Sequence, residues 1–250
     1  MKKEIVDIDP ARGVFRVTTD NERFYIRPSK NKTTGLPDYE YAPSVTYITS
    51  FYPKGPQLTK WIAEQGGTKQ EKKKTDAGAR GSRIHAAVAA LVGGGTVTPD
   101  MKFDGVELAV DEYAAVLNFR DWFEATRPEV LGSEFLIWND EHNYAGTVDL
   151  KVKINGEVWV IDLKSSKSVY PEYALQLSAY KKCIPDATRI GVLQVGYTRS
   201  KSGWKFTELD DKFDVFLATK RVFENETAGA KPLQREFPLS ISIRLPKDAK

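Results

Sequence analysis

Residues 146–164 read GTVDLKVKINGEVWVIDLK, and this stretch decides how the rest of the chain is organised. Val148, Leu150, Val152 and Ile154 alternate with Thr147, Asp149, Lys151 and Lys153. Trp159, Ile161 and Leu163 alternate in the same way with Val158, Val160, Asp162 and Lys164. Period-two alternation marks a strand, because successive side chains point to opposite faces. The Asn155-Gly156 pair between the two runs is a hairpin-turn signal. The spacing predicts two strands side by side, with Asp162 and Lys164 on one face and Asp149 brought near Asp162.

Two carboxylates held close repel each other unless a cation offsets them. A divalent ion would do so, with the main-chain carbonyl of Leu163 as a further oxygen ligand, and a carboxylate donor set selects hard ions such as Mg²⁺ or Mn²⁺. Beside such an ion Lys164 could orient or deprotonate an attacking water and stabilise charge on a phosphate. The plainer alternative is an exposed hairpin whose acids and lysines pair across strands.

Working outward, SSKSVYPEYALQLSAYKK follows directly, with a helix expected over about 171–182. Tyr173, Gln176 and Tyr180 share one face of it and could donate to a phosphate or to the water; the alternative is amphipathic packing. Strands are expected over 189–197 and near 203–207, a helix over 211–225, and a surface tail from Ala228. Upstream lie a strand over 133–138 and helices over 107–126 and 76–92, the latter stopped by Gly93-Gly94-Gly95. Further upstream are a short helix near 57–65, the segment Ser44–Phe51, a Gly/Pro/Lys-rich loop at 28–43, and three short strands over 3–8, 13–18 and 22–27. This order predicts an α/β fold: a mixed central sheet flanked by helices, with a small N-terminal β appendage.

Composition narrows the chemistry. The 41% hydrophobic and 28% charged content is that of a globular protein. Apolar runs fall far short of the roughly 20 residues that cross a bilayer, and MKKEIVDIDPARG has no apolar leader, so no membrane association and a cytoplasmic setting are expected. The single cysteine, Cys183, excludes an intramolecular disulfide and a four-cysteine iron–sulfur cluster, and two histidines leave metal chemistry mainly to carboxylates. Net charge is only +3. Locally, however, Lys69, Lys72, Lys73, Lys74, Arg80 and Arg83 cluster against Glu71 and Asp76: a solvated face, or a nucleic-acid contact if it borders a phosphate site.

The order Gly146-x-x-Asp149, Asp162-Leu163-Lys164 and Gln176-x-x-x-Tyr180 resembles the PD-(D/E)xK nuclease superfamily in its RecB-type exonuclease branch. Gly81-Ser82-Arg83-Ile84-His85 resembles that branch's glycine–histidine motif, and Glu134 the acid preceding the GxxD strand. Pro43-Ser44-Val45-Thr46 followed by Trp61 is similar to a pattern in phage nucleases and mitochondrial genome maintenance exonucleases. The resemblance covers about residues 43–183. It implies a restriction-endonuclease-like core over 43–227, with an appendage and loop at 1–42 and a tail at 228–250. It further implies Asp149, Asp162, His85 and the Leu163 carbonyl as ligands of Mg²⁺ or Mn²⁺, Lys164 as the catalytic lysine, and Glu134, Gln176 and Tyr180 as supporting residues.

The activity so implied is metal-dependent exonucleolytic hydrolysis of single-stranded or frayed DNA ends in replication, recombination, repair or phage DNA metabolism, with partner proteins from those processes. Lys72, Lys73, Lys74, Arg80 and Arg83 would contact the DNA backbone. Tyr47, Phe51, Tyr52 and Trp61 could stack bases, although core packing is the plainer role. A structure-specific endonuclease and a non-catalytic nucleic-acid-binding subunit are the alternatives.

Overall fold

The computed structural model describes residues 4–19, 22–30, 33, 35, 37–53, 67–166, 168–196 and 201–228, the side chains of 37 and 67–75 excepted. Strands β1 (Glu4–Asp9), β2 (Val14–Thr18), β3 (Arg23–Lys30) and β4 (Pro37–Pro43) form an antiparallel sheet in that order. The loop expected at 28–43 is therefore corrected to the end of β3 and the whole of β4. Proline is a loop signal that the sheet accommodates here. Pairing of β3 with β2 ends at Ile26, so Pro28 leaves no acceptor on β2 unpaired, and β4 is an edge strand, where Pro37 and Pro43 are tolerated.

Ser44 opens α1 (Val45–Thr49), its hydroxyl accepting the Tyr47 N–H at 3.1 Å. Next comes α2 (Gly67–Val92), which starts nine residues before the expected Asp76. The helix expected near 57–65, and Trp61 with it, lies outside the described residues. An unexpected hairpin, β5 (Lys102–Phe103) and β6 (Val106–Glu107), turns on Asp104-Gly105, both at positive φ. It delays α3 (Val110–Thr126) by three residues; the Glu112 carboxylate accepts the Ala109 N–H at 3.0 Å at its start.

The remaining elements are β7 (Glu129–Asn139), β8 (Tyr144–Ile154), β9 (Glu157–Lys164), α4 (Pro171–Lys182), β10 (Arg189–Gln194), β11 (Lys205–Leu209) and α5 (Phe213–Thr227). The tail from 229 onward lies outside the described residues.

Strands β7 to β11 build a five-stranded sheet in the order β11-β10-β9-β8-β7. Every neighbouring pair is antiparallel except β9 and β10, which are joined in parallel through the crossover helix α4. The expected turn at Asn155-Gly156 joins β8 and β9, both residues at positive φ. One face buries Val148, Val160 and Val192 under Ile48 of α1, Leu177 of α4 and Phe216 of α5. The other buries Leu150, Val152 and Ile161 under Ile84 of α2 and Phe119 and Trp122 of α3. The result is a mixed α/β arrangement with helices on both faces of the sheet. Among the described residues no helix is long and apolar enough to cross a membrane.

The N-terminal sheet is tied to β7 and β8. Tyr25 and Ala42 bury themselves against Ala145 beside Leu136 and Trp138, and Ser44 forms a parallel bridge with Ala145.

Candidate metal centre

Strand β8 breaks its own alternation at one point. On β9 the pattern is regular: Val160 faces one core, and Trp159, Ile161 and Leu163 the other. On β8, Val148 and Leu150 are two residues apart yet enter opposite cores, so the chain rotates at Asp149 between them. The expectation that Val148 and Leu150 share a face is corrected accordingly. Across the sheet the neighbouring strand responds. Glu134 has φ +48°, a left-handed conformation that a non-glycine residue adopts at a cost of about 1–3 kcal/mol. Pairing between β8 and β9 also ends at Leu150↔Ile161, so the strands part where Asp149 and Asp162 face each other.

His85 on α2 reaches into this gap. Its Nδ1 lies 3.5 Å from Asp149 Oδ1 and 3.7 Å from Glu134 Oε1, and its Nε2 lies 2.9 Å from the Leu163 carbonyl. Ligand atoms of His85, Glu134 and Asp149 all fall within 4.8 Å of one another. The other Asp149 oxygen, Oδ2, accepts the Leu163 N–H at 2.8 Å, which ties β8 to β9 after their ladder has ended.

Asp162 is fully buried beside them. Its Oδ1 accepts a hydrogen bond from Gln176 Nε2 at 2.8 Å. Its Oδ2 meets Lys164 Nζ at 2.7 Å but off hydrogen-bond geometry, so that this buried oxygen has an ion-pair contact and no hydrogen bond. The Lys164 ammonium also sits over the Tyr173 ring, 4.8 Å from its centroid.

Tyr180 takes the third position on the α4 face. Its hydroxyl accepts a hydrogen bond from Gln176 Nε2 at 3.3 Å, and its ring lies so close to β8 that a Cβ on Gly146 would come within 2.6 Å of it. The glycine of Gly146-x-x-Asp149 and the tyrosine of Gln176-x-x-x-Tyr180 therefore explain each other sterically.

Charge crowding moves the titrations apart. Burial lowers the His85 value, but the Asp149 charge and hydrogen bonds to Asp149 and Glu134 outweigh it and push it up to about 10. Burial raises Asp162, and Asp149 adds to this; Lys164 opposes both, and the value comes to about 6. Asp149 ends below the ordinary range, because His85, Lys164 and the Leu163 N–H overcome its burial. Lys164 ends above its ordinary value, since Asp162 and Asp149 overcome desolvation. Three carboxylates thus face two cationic groups in one cluster, in which Asp162 is buried and Glu134 is exposed.

All six residues expected in catalytic or supporting roles, with His85 and the Leu163 carbonyl, come together here. The grouping differs from the expected one. Glu134 joins His85 and Asp149, Asp162 turns toward Lys164 and Gln176, and the Leu163 carbonyl faces His85 Nε2. Glu134 stands beside His85 and Asp149 with a positive φ that no sequence pattern signals.

The basic run divides. Arg83 is partly buried and paired with the buried Glu112 of α3, and Arg80 pairs with Asp111 at 2.7 Å. These two arginines tie α2 to α3. The side chains of Lys72, Lys73 and Lys74 lie outside the described residues. Tyr47 and Phe51 pack edge-on against Phe223 of α5 and each other, in keeping with the plainer expectation of core packing. No family model matches the chain, and no curated protein matches it.

Proposed function

We propose that the chain is a metal-dependent deoxyribonuclease of the PD-(D/E)xK, RecB-like kind, with a restriction-endonuclease-like core, acting as an exonuclease on single-stranded or frayed DNA ends. The observation that carries this reading is the convergence of His85, Glu134 and Asp149 within 4.8 Å, beside the Asp162–Lys164 pair, where β8 and β9 part. The donor set suits a hard divalent cation: carboxylate oxygens, one imidazole nitrogen, and a buried Asp162 Oδ2 without a hydrogen bond.

Glu134, Asp149, His85 and Asp162 would hold Mg²⁺ or Mn²⁺, which supplies Lewis acidity toward a phosphate oxygen and lowers the pKa of a bound water. The residues themselves do the positioning. His85 Nε2 donates to the Leu163 carbonyl, which fixes the ring so that Nδ1 faces the carboxylates. Gln176 holds Asp162 from α4. Lys164, steadied by Asp162 and the Tyr173 ring, can donate to the attacking water or to a phosphate oxygen. Lys72, Lys73 and Lys74 would meet the DNA backbone. An endonuclease could use the same centre, and a binding subunit would have no need of the complete Asp149, Asp162 and Lys164 set.

The test is cleavage of end-labelled single-stranded, duplex and closed circular DNA with Mg²⁺, Mn²⁺ or chelator. Lys164→Ala is run beside the wild type after both are shown to be folded. Degradation of linear DNA that needs the metal and falls about 10²- to 10³-fold in the variant supports the reading. Cleavage of closed circles would move the assignment to an endonuclease. Binding without cleavage would move it to a non-catalytic subunit.

A further inference from the structure

Arg23, Tyr25 and Arg27 occupy alternate positions on β3 and so share one face. Their partners on the main sheet run steadily toward the metal centre. The Arg27 guanidinium stacks over Trp138, 4.3 Å from the ring centroid, and pairs with Glu40 and Asp140 at the far end of the β7–β8 hairpin. The Tyr25 hydroxyl is 3.1 Å from Thr147 Oγ1, inside the Gly146-x-x-Asp149 stretch. Arg23 is the next residue on that face, two positions beyond Tyr25 at the other end of β3 from Arg27. Its carbonyl accepts the Ser44 N–H at 2.9 Å, which fixes the strand at the start of α1. Its charge acts on the Tyr180 phenol, which also feels Asp149 and Asp162.

The two arginines differ in one respect. Arg27 has two carboxylates and a ring. Arg23 has no ion pair and no side-chain hydrogen bond among the described residues, and its Nε is buried. A guanidinium cannot shed its charge, and a buried N–H without an acceptor destabilises a fold. Such a group beside a phosphate-handling centre matches the fork geometry by which arginine binds phosphate oxygens.

We propose that Arg23 is a phosphate-positioning residue: through it the N-terminal sheet holds a backbone phosphate of the nucleic-acid strand lying next to the His85, Glu134 and Asp149 centre. This rests on the nuclease reading for its substrate, and it gives the N-terminal sheet a task of its own.

The experiment measures binding of a fluorescein-labelled single-stranded oligonucleotide in chelator, across a salt series, for wild type, Arg23→Gln, Arg23→Lys and Arg27→Ala. Steady-state cleavage in Mg²⁺ follows on the same proteins. Arg23→Gln is expected to bind about tenfold more weakly, with the slope of log K against log salt shallower by about 0.7, the share of one phosphate contact on a single strand. Arg23→Lys keeps the wild-type slope, and Arg27→Ala keeps it too. In Mg²⁺ the Arg23→Gln defect falls on KM more than on kcat. An unchanged slope and KM in Arg23→Gln, with the wild type cleaving DNA, overturns the role of Arg23 and leaves the nuclease standing. An Arg23-dependent slope without any cleavage does the reverse. A wild type that neither binds nor cleaves overturns both.

Discussion

The two ends of the β8–β9 hairpin follow different rules. From the turn to Leu150↔Ile161, five residue pairs stay in register, and Lys151 is neutralised by Asp186 at 2.7 Å. Beyond Leu150 the ladder stops, the alternation slips at Asp149, Glu134 adopts φ +48°, and three carboxylates crowd a histidine and a lysine. One end satisfies every local preference. The other violates several at once, and such violations persist where they serve a site. The largest effect expected from this contrast is linkage to a divalent ion. At an Mg²⁺ concentration a hundredfold above its dissociation constant, the folded state should gain about 2.7 kcal/mol. Glu134→Gln should lose most of that gain while matching or exceeding the wild type without metal, because one repelling charge has gone. Thermal melts with and without Mg²⁺ at fixed ionic strength measure this, and an equal gain in both proteins would remove Glu134 from the ligand set.

A pair of glycines probes the same two ends more gently. Gly156, in the turn, has φ +86° and open space around its missing Cβ. Gly156→Ala should cost about 1–2 kcal/mol through backbone strain and leave the activity of folded molecules unchanged. Gly146, near the open end, has no such strain, but a Cβ added to it would come within 2.6 Å of the Tyr180 ring. Gly146→Ala should cost a similar 1–3 kcal/mol by overpacking and also displace Tyr180 and the Gln176 amide bonded to it, so that activity falls with stability. Denaturant melts paired with activity per folded molecule separate the two; equal activity in both variants would show that the Tyr180 contact does not position the site.

The same contrast explains what the sequence revealed. The turn end was readable because Asn155-Gly156 and the alternating apolar residues act through neighbours in the chain. The meeting of Asp149, Asp162, Lys164, Gln176 and Tyr180 was readable as well, since a hairpin and one helical face bring them together. The grouping of Glu134 with His85 and Asp149 was not, because it goes with a left-handed backbone conformation that Glu134 adopts within the packed sheet. Nor was the edge strand Pro37–Pro43 readable, where proline signals a loop unless the sheet leaves that edge unpaired. The ion pair of Arg83 was hidden for a related reason: a charge run shows which residues are basic but not that Glu112, 29 positions away, will pair with one of them.

That pair gives the smallest expected effect and the sharpest control for the crowded centre, since Arg83 and His85 lie two residues apart on α2. His85 meets excess negative charge, whereas Arg83 meets one buried carboxylate that also accepts the Ala109 N–H. Burial pushes the Glu112 carboxyl up, but the Arg83 hydrogen bond, the Ala109 N–H and the Arg83 charge outweigh it and hold the value below the usual range. The unfolded chain therefore takes up the Glu112 proton at a higher pH than the folded one does. The resulting stability is fully present above the ordinary Glu value of about 4.3 and is lost as pH falls through the lower folded value. Other acids add their own acid sensitivity, so the readout is a difference: urea midpoints of wild type and Glu112→Gln should be furthest apart near neutral pH and converge below pH ~4. Midpoints that stay parallel across that window would mean that Glu112 contributes packing and a helix cap, and that its charge adds nothing to the tie between α2 and α3.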